Sequence, residues 1–116
     1  MDILKIAKRV QNRCKFLSQI AESAGDSEIA VGMDWVNEEI DNITDGDGIG
    51  NSLKALMAEI SKFVQLKAEL RQLITDQADD GEYPYYYCDI NGFHNIGKAF
   101  ALELLTAESW ENEFNK

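Results

Sequence analysis

Asp76-Gln-Ala-Asp-Asp-Gly-Glu-Tyr-Pro-Tyr-Tyr-Tyr-Cys-Asp-Ile-Asn-Gly-Phe-His-Asn-Ile-Gly-Lys98 is the one long stretch of this chain that does not read as helix. It holds the only proline (Pro84), the only histidine (His94), all four tyrosines and one of two cysteines. Pro84 fixes its own φ and drives Tyr83 toward an extended shape. Asn91-Gly92, set between Tyr85–Ile90 and Phe93–Ile96, is a short-hairpin signal. The segment 79–94 therefore reads as a short β-hairpin or an extended loop. It is longer than most connections in compact domains, and such segments often carry function.

On either side the apolar residues recur at helical spacing. Ile3, Ala7, Val10, Cys14, Leu17, Ala21 and Ala24 form one stripe, with Asp2 as N-cap and Gly25 as stop. Phe16 and Ile20 fall off that stripe, beside Arg9 and Arg13. Asp26 or Ser27 opens a second helix with the stripe Ile29, Met33, Val36, Ile40 and Ile43. Gly32 inside it costs about 1 kcal/mol in propensity. After the glycine-rich loop 44–51, Asn51 or Ser52 caps a third helix. Its apolar face is the broadest in the chain, running from Leu53 to Ile74, which predicts a central place in the core. Ile96, Phe100, Leu104, Ala107 and Phe114 mark the buried side of a last helix. The expectation is an all-α, single-domain bundle of four main helices, about 2–24, 27–43, 52–77 and 95–114, with the hairpin or loop between the last two.

A chain of 116 residues is one domain by size and long enough to bury a core without staples. Net charge is −10, unevenly spread. Residues 1–21 carry five basic groups against one acid, whereas residues 22–53 carry nine acids and no Lys or Arg. Such a surface repels phosphates, which disfavours nucleic acids and anionic membranes as direct ligands and favours either solubility alone or a basic partner. Ile3-Leu4 is interrupted by Lys5 and Lys8 before any signal-peptide core builds up, and no apolar run approaches a membrane span. Cys14 and Cys88 stand far apart with no CxxC spacing, so reduced thiols in a cytoplasmic protein are expected.

Three constellations invite chemistry. Asp45-Gly-Asp-Gly-Ile-Gly-Asn51 begins like a calcium loop, but Ile49 and Leu56 stand where two more oxygen ligands belong. Cys88, Asp89 and His94 can be drawn as nucleophile, orienter and base, yet acidic neighbours raise a thiol pKa. Neither supports a metal, a cofactor or an enzyme. The third is stronger. Tyr83, Tyr85, Tyr86 and Tyr87 offer rigid amphipathic contact area among Asp79, Asp80, Glu82 and Asp89. Asp34, Glu38, Asp41 and Asp45 add an acidic ridge on the second helix, one charge per turn of about 5.4 Å. Together these twelve residues form the candidate partner-binding set.

In kind, this combination resembles the small acidic immunity proteins of nuclease bacteriocins, which pair tyrosines and a proline with carboxylates. It is also similar to phage-encoded DNA-mimic inhibitors of restriction and CRISPR systems. The likeness is one of composition, and the Tyr83-Pro84-Tyr85 order departs from the immunity-protein pattern. It implies a non-enzymatic inhibitor that docks on a basic surface of a nuclease or other nucleic-acid-binding effector. Two other classes stand beside that expectation. One is a homo-oligomeric structural or regulatory protein, a homodimer in the simplest case, whose basic first helix meets the acidic second. The other is a Cys/His enzyme.

Overall fold

The computed structural model describes residues 2–45, 53–77 and 85–114. Their order is α1 (Ile3–Ser23), α2 (Ser27–Thr44), α3 (Leu53–Asp76), β1 (Tyr85–Asp89), β2 (Gly92–Ile96) and α4 (Lys98–Leu104), followed by a 3-10 turn at Ser109–Glu113. The bundle with a small hairpin agrees with the expectation from periodicity. The loop 46–52, with its calcium-like spacing and the α3 cap, and the segment 78–84 lie outside the described residues.

The corner between α1 and α2 follows from four residues. Asp2 caps α1 by accepting from the Lys5 N–H at 3.2 Å. At the other end Gly25, at φ +89°, takes the left-handed conformation that glycine adopts most cheaply. Its N–H donates to Glu22 O at 3.0 Å and that of Asp26 to Ala21 O at 3.0 Å, the Schellman pattern. The Asp26 carboxylate then accepts from the Ile29 N–H at 3.0 Å and starts α2. The two helices fold back on each other with almost no linker.

The α1 helix is the hub of the core: it packs against α2, α3 and β1. Its predicted stripe is buried from Ala7 to Ala21 and partly buried at Ile3 and Ala24, and Ile20 on the neighbouring face is buried too. Centrality was expected of α3, whose apolar face is broader. The difference lies in Phe16 and Ile20, which give α1 a second apolar face. That face sits under the hairpin, with Phe16 and Tyr87 ring centroids 5.5 Å apart.

Gly32, in the middle of α2, is explained by packing. A Cβ built there would lie 3.1 Å from both methyl carbons of Leu66 on α3. The two helices cross closely at this point, so the propensity cost of glycine is offset by close approach.

The final segment departs from the single helix predicted over 95–114. Ile96 belongs to β2, α4 ends at Leu104, and the chain turns before Ser109–Glu113. Ile96 and Leu105 are buried as expected, Ala101 joins them, and Phe100 is exposed. Ile96 is taken into the hairpin by its pairing with Tyr85, and the break after α4 serves Lys67, buried on the apolar stripe of α3. Its ammonium donates to the Thr106 carbonyl at 3.1 Å and to Glu111 Oε2 at 2.7 Å. A buried charge needs an anion and filled hydrogen-bond positions. Breaking the helix frees the carbonyl and turns Glu111 inward, where its Oε2 also accepts from the Glu108 N–H at 2.6 Å.

Candidate interaction surface

The hairpin pairs Tyr85 with Ile96, Tyr86 with Asn95, Tyr87 with His94, Cys88 with Phe93 and Asp89 with Gly92. Gly92, at φ +113°, follows the turn residues Ile90 and Asn91, so the Asn-Gly signal acts one residue later than a central Asn-Gly turn would. Along a strand the side chains alternate. Tyr85, Tyr87 and Asp89 therefore share the face toward α1 with Ile96 and His94, while Tyr86, Cys88 and Phe93 lie on the outer face.

This sorts the tyrosines. Tyr85 is 0% exposed, and its hydroxyl donates to Gln77 Oε1. It is a core residue, which corrects its assignment as a docking residue: β1 starts against the bundle, and the inward phase falls on Tyr85. Tyr87 is half-buried between Phe16 and His94, its ring stacked on the imidazole at 4.8 Å. Tyr86, half-buried as well, lies on the opposite face of the hairpin, stacked on the exposed Phe93 at 5.5 Å. Tyr83, Asp79, Asp80 and Glu82 lie outside the described residues.

The hairpin is held rather than presented freely. Gln19 on α1 accepts from the Cys88 N–H at 3.0 Å and donates to the Cys88 carbonyl at 3.2 Å. Ser23 accepts from the Tyr86 N–H at 3.2 Å. These side chains occupy the outer edge of β1 as a neighbouring strand would. Gln77, which meets Tyr85, also donates to Ala24 O at 2.8 Å.

The nucleophile–base drawing does not survive this geometry. Cys88 and His94 project from opposite faces of the hairpin, and the imidazole Nε2 lies 2.9 Å from Asp89 Oδ1. The hydrogen bond from His94 holds the Asp89 carboxyl below its ordinary range against the opposing effect of burial, with further help from the Asn91 N–H. Burial pushes the other thiol, Cys14, up to about 12, with Asp34 adding to the effect. Cys14 is a packing residue. Among the described residues no cluster of three or more His, Cys, Asp or Glu is arranged to hold a metal ion.

Of the acidic ridge, Asp34, Glu38 and Asp41 are exposed on α2, and Asp45, also exposed, is the non-helical residue that follows the helix. Asp41 alone is engaged by a neighbour, accepting from Gln11 Nε2 at 3.3 Å. The basic α1 and the acidic α2 approach each other where Lys8, Lys15 and Asp41 line one small hollow, without an ion pair among the described residues. Among the described residues the one ion pair of α1 is Arg9 with Glu108 at 2.5 Å, on the side of the C-terminal turn. Burial pushes the Glu108 carboxyl up, but the Arg9 hydrogen bond and the charges of Arg9, Arg13 and Lys67 outweigh it, leaving the carboxyl below its ordinary range.

Next to the ridge stands a residue that sequence reasoning missed. Trp35 is 67% exposed and Val31, one turn before it, 43%. With about 3.6 residues per turn, Val31 and Trp35 follow the ridge around the helix, and Glu28 and Glu39 come next. The tryptophan thus stands between two rows of carboxylates on a helix without a Lys or Arg. On its α3 side lies a groove of about 670 Å³ whose apolar lining is Gly32, Trp35, Val36 and Leu66. Glu38, Glu39 and Glu59 supply its acidic rim, with Gln65 and Lys62 on the α3 wall. Lys62 is tied to Glu59 at 2.9 Å. A second hollow of about 350 Å³, lined by Ser27, Glu28 and Val31, lies on the other side of the same Gly32 and Trp35. The sequence signal was available: an aromatic residue off the apolar stripe of an otherwise acidic helix.

Among the described residues, no helix is long and apolar enough to cross a membrane. Compared with protein-family models, curated proteins and solved structures, the chain matches none, and its surface is read from its own chemistry.

Proposed function

We propose that this is a non-enzymatic acidic binding module that docks on a basic surface of a partner protein, with the solvent face of α2 as its contact. The observation that carries this reading is Trp35, a large exposed aromatic side chain set among Glu28, Asp34, Glu38 and Glu39. Aromatic anchors ringed by polar groups are the usual composition of an interface hot spot. An exposed tryptophan is an expense for a monomer, and a rim of one charge sign selects the partner's sign and speeds encounter. The outward pair Tyr86–Phe93 offers a second aromatic patch; Tyr85 and Tyr87 serve the fold.

If the partner surface is one that binds nucleic acid, such as that of a nuclease or a DNA-guided or RNA-guided effector, the carboxylates occupy positions where phosphates sit and the docking inhibits. The test is competition. Proteins retained on the immobilised chain are challenged with duplex DNA or heparin and with rising salt. Retention of basic proteins that either polyanion displaces, and that weakens as salt rises, is the expected outcome. Retention indifferent to both removes the inhibitor reading. A homo-oligomer is the competing reading, and light scattering at two salt concentrations separates it.

A further inference from the structure

We infer that the α2–α3 groove beside Trp35 accepts a basic amphipathic α-helix of the partner, which seats an apolar side chain on Gly32 and Leu66 while its lysines or arginines meet the rim carboxylates. This rests on the docking role proposed above for α2 and names the form of the ligand.

The floor supplies the first argument. Gly32 has no side chain and the Leu66 methyl groups pack over it, so the floor where the two helices meet is apolar and carries no α2 side chain. Its volume of about 670 Å³ holds several side chains, and Trp35 forms a tall apolar wall on one side. A single row of apolar residues at i, i+3 and i+4 fits a trough between two helices, as in other helix-in-groove complexes.

The second argument excludes an extended ligand. Both walls are helices, so their backbone N–H and C=O groups are already hydrogen-bonded internally. An extended peptide lying there would leave its own backbone groups unpaired once water is expelled, whereas a helix brings them satisfied. Ligands that bind as β-strands add to sheet edges instead.

Charge supplies the third. Glu38 and Glu39 stand exposed on the α2 wall, whereas Glu59 on the α3 wall is buried and neutralised by its pair with Lys62. Hydrogen bonding to Glu59 raises the Lys62 pKa, as does its charge. A ligand helix that is basic on the flank facing α2 matches that wall, and an acidic one is repelled by it.

The experiment uses the full chain with Trp110→Phe, leaving Trp35 as the reporter, and three synthetic peptides of roughly 18 residues, about five helical turns. One carries a leucine stripe at i, i+3 and i+4 with lysine elsewhere. The second has the same composition with the stripe scrambled, and the third is oligolysine. At an ionic strength where the Debye length is about 8 Å, only close pairing survives. The stripe peptide is expected to bind one to one, shift Trp35 emission to the blue and move the amide resonances of Gly32, Gln65 and Leu66. Scrambling, oligolysine or Trp35→Ala should each weaken binding by roughly tenfold or more, about 1.4 kcal/mol. Equal binding of oligolysine overturns the groove inference and leaves the basic-partner reading standing, since a diffuse negative field would then explain both. Binding of the stripe peptide with resonance changes confined to the hairpin also overturns it. If no basic peptide binds, the docking role itself falls along with the groove.

Discussion

At the residue scale, the side chains that matter divide between structure and surface, and mutation separates them. Tyr85 looked from sequence like its neighbours Tyr86 and Tyr87. Only the phase of the strand against α1 makes it a core residue, and that phase is a tertiary fact. Tyr85→Phe removes the hydroxyl that meets Gln77 and should cost about 1 kcal/mol in denaturant unfolding. Tyr85→Ala should cost about 3–5 kcal/mol, the range for truncating a buried aromatic ring. Trp35→Ala, by contrast, should change stability by less than about 0.5 kcal/mol, as surface changes usually do. Lys67 is the residue whose role was most hidden. It sits on the stripe of Ile60, Phe63, Val64, Leu70 and Ile74, and a lysine there is readable as an anomaly, but not its partner. Glu111 lies 44 residues away, in a segment that read as a continuous helix. Lys67→Ala leaves Glu111 buried and unpaired and should cost about 3–5 kcal/mol, whereas replacing both by apolar residues of similar volume should recover most of it. A double-mutant cycle in urea checks this.

At the element scale, helices α1, α2 and α3 were legible because each carries a long stripe and its stop or cap is local in sequence. Asp2, Gly25 and Asp26 do what their types suggest. Gly25 offers a clean test. An added Cβ would meet nothing within 4 Å, so Gly25→Ala should destabilise only through its positive φ, by about 1 kcal/mol. A loss well above that would mean the Schellman corner matters for more than backbone conformation. The hairpin was legible as one of two alternatives, from Asn91-Gly92. The C-terminal segment was not, since the spacing of Ile96, Phe100 and Leu104 suits a helix that the tertiary demand of Lys67 interrupts. Likewise the acidic ridge could be drawn from spacing alone, while the groove could not. It exists because Gly32 meets Leu66, a contact between elements.

At the scale of the whole molecule, stability should fall at both ends of the pH range, and the causes can be told apart. Glu108 and Asp89 have folded pKa values below their unfolded ones, so the stability they supply is present above the unfolded values and is lost as pH falls through the folded ones. Cys14 has the opposite sign. Its folded pKa of about 12 exceeds the ordinary 9.0, so its contribution is complete below pH 9 and is lost as pH rises from there toward 12. Cys14→Ala should flatten that alkaline decline while lowering stability at neutral pH, and thermal melts from pH 7 to 11 would show it. The distribution of charge has a functional reading as well. The basic α1 and the acidic α2 pack side by side, yet among the described residues no ion pair joins them, so the α2 carboxylates remain available to a partner. The most direct test of that claim is parallel capture on wild type, Trp35→Ala and the double variant Tyr86→Ala/Phe93→Ala, each first shown to be folded. Docking through α2 predicts that Trp35→Ala loses the basic partner while the hairpin variant retains it; loss by the hairpin variant with retention by Trp35→Ala would contradict it.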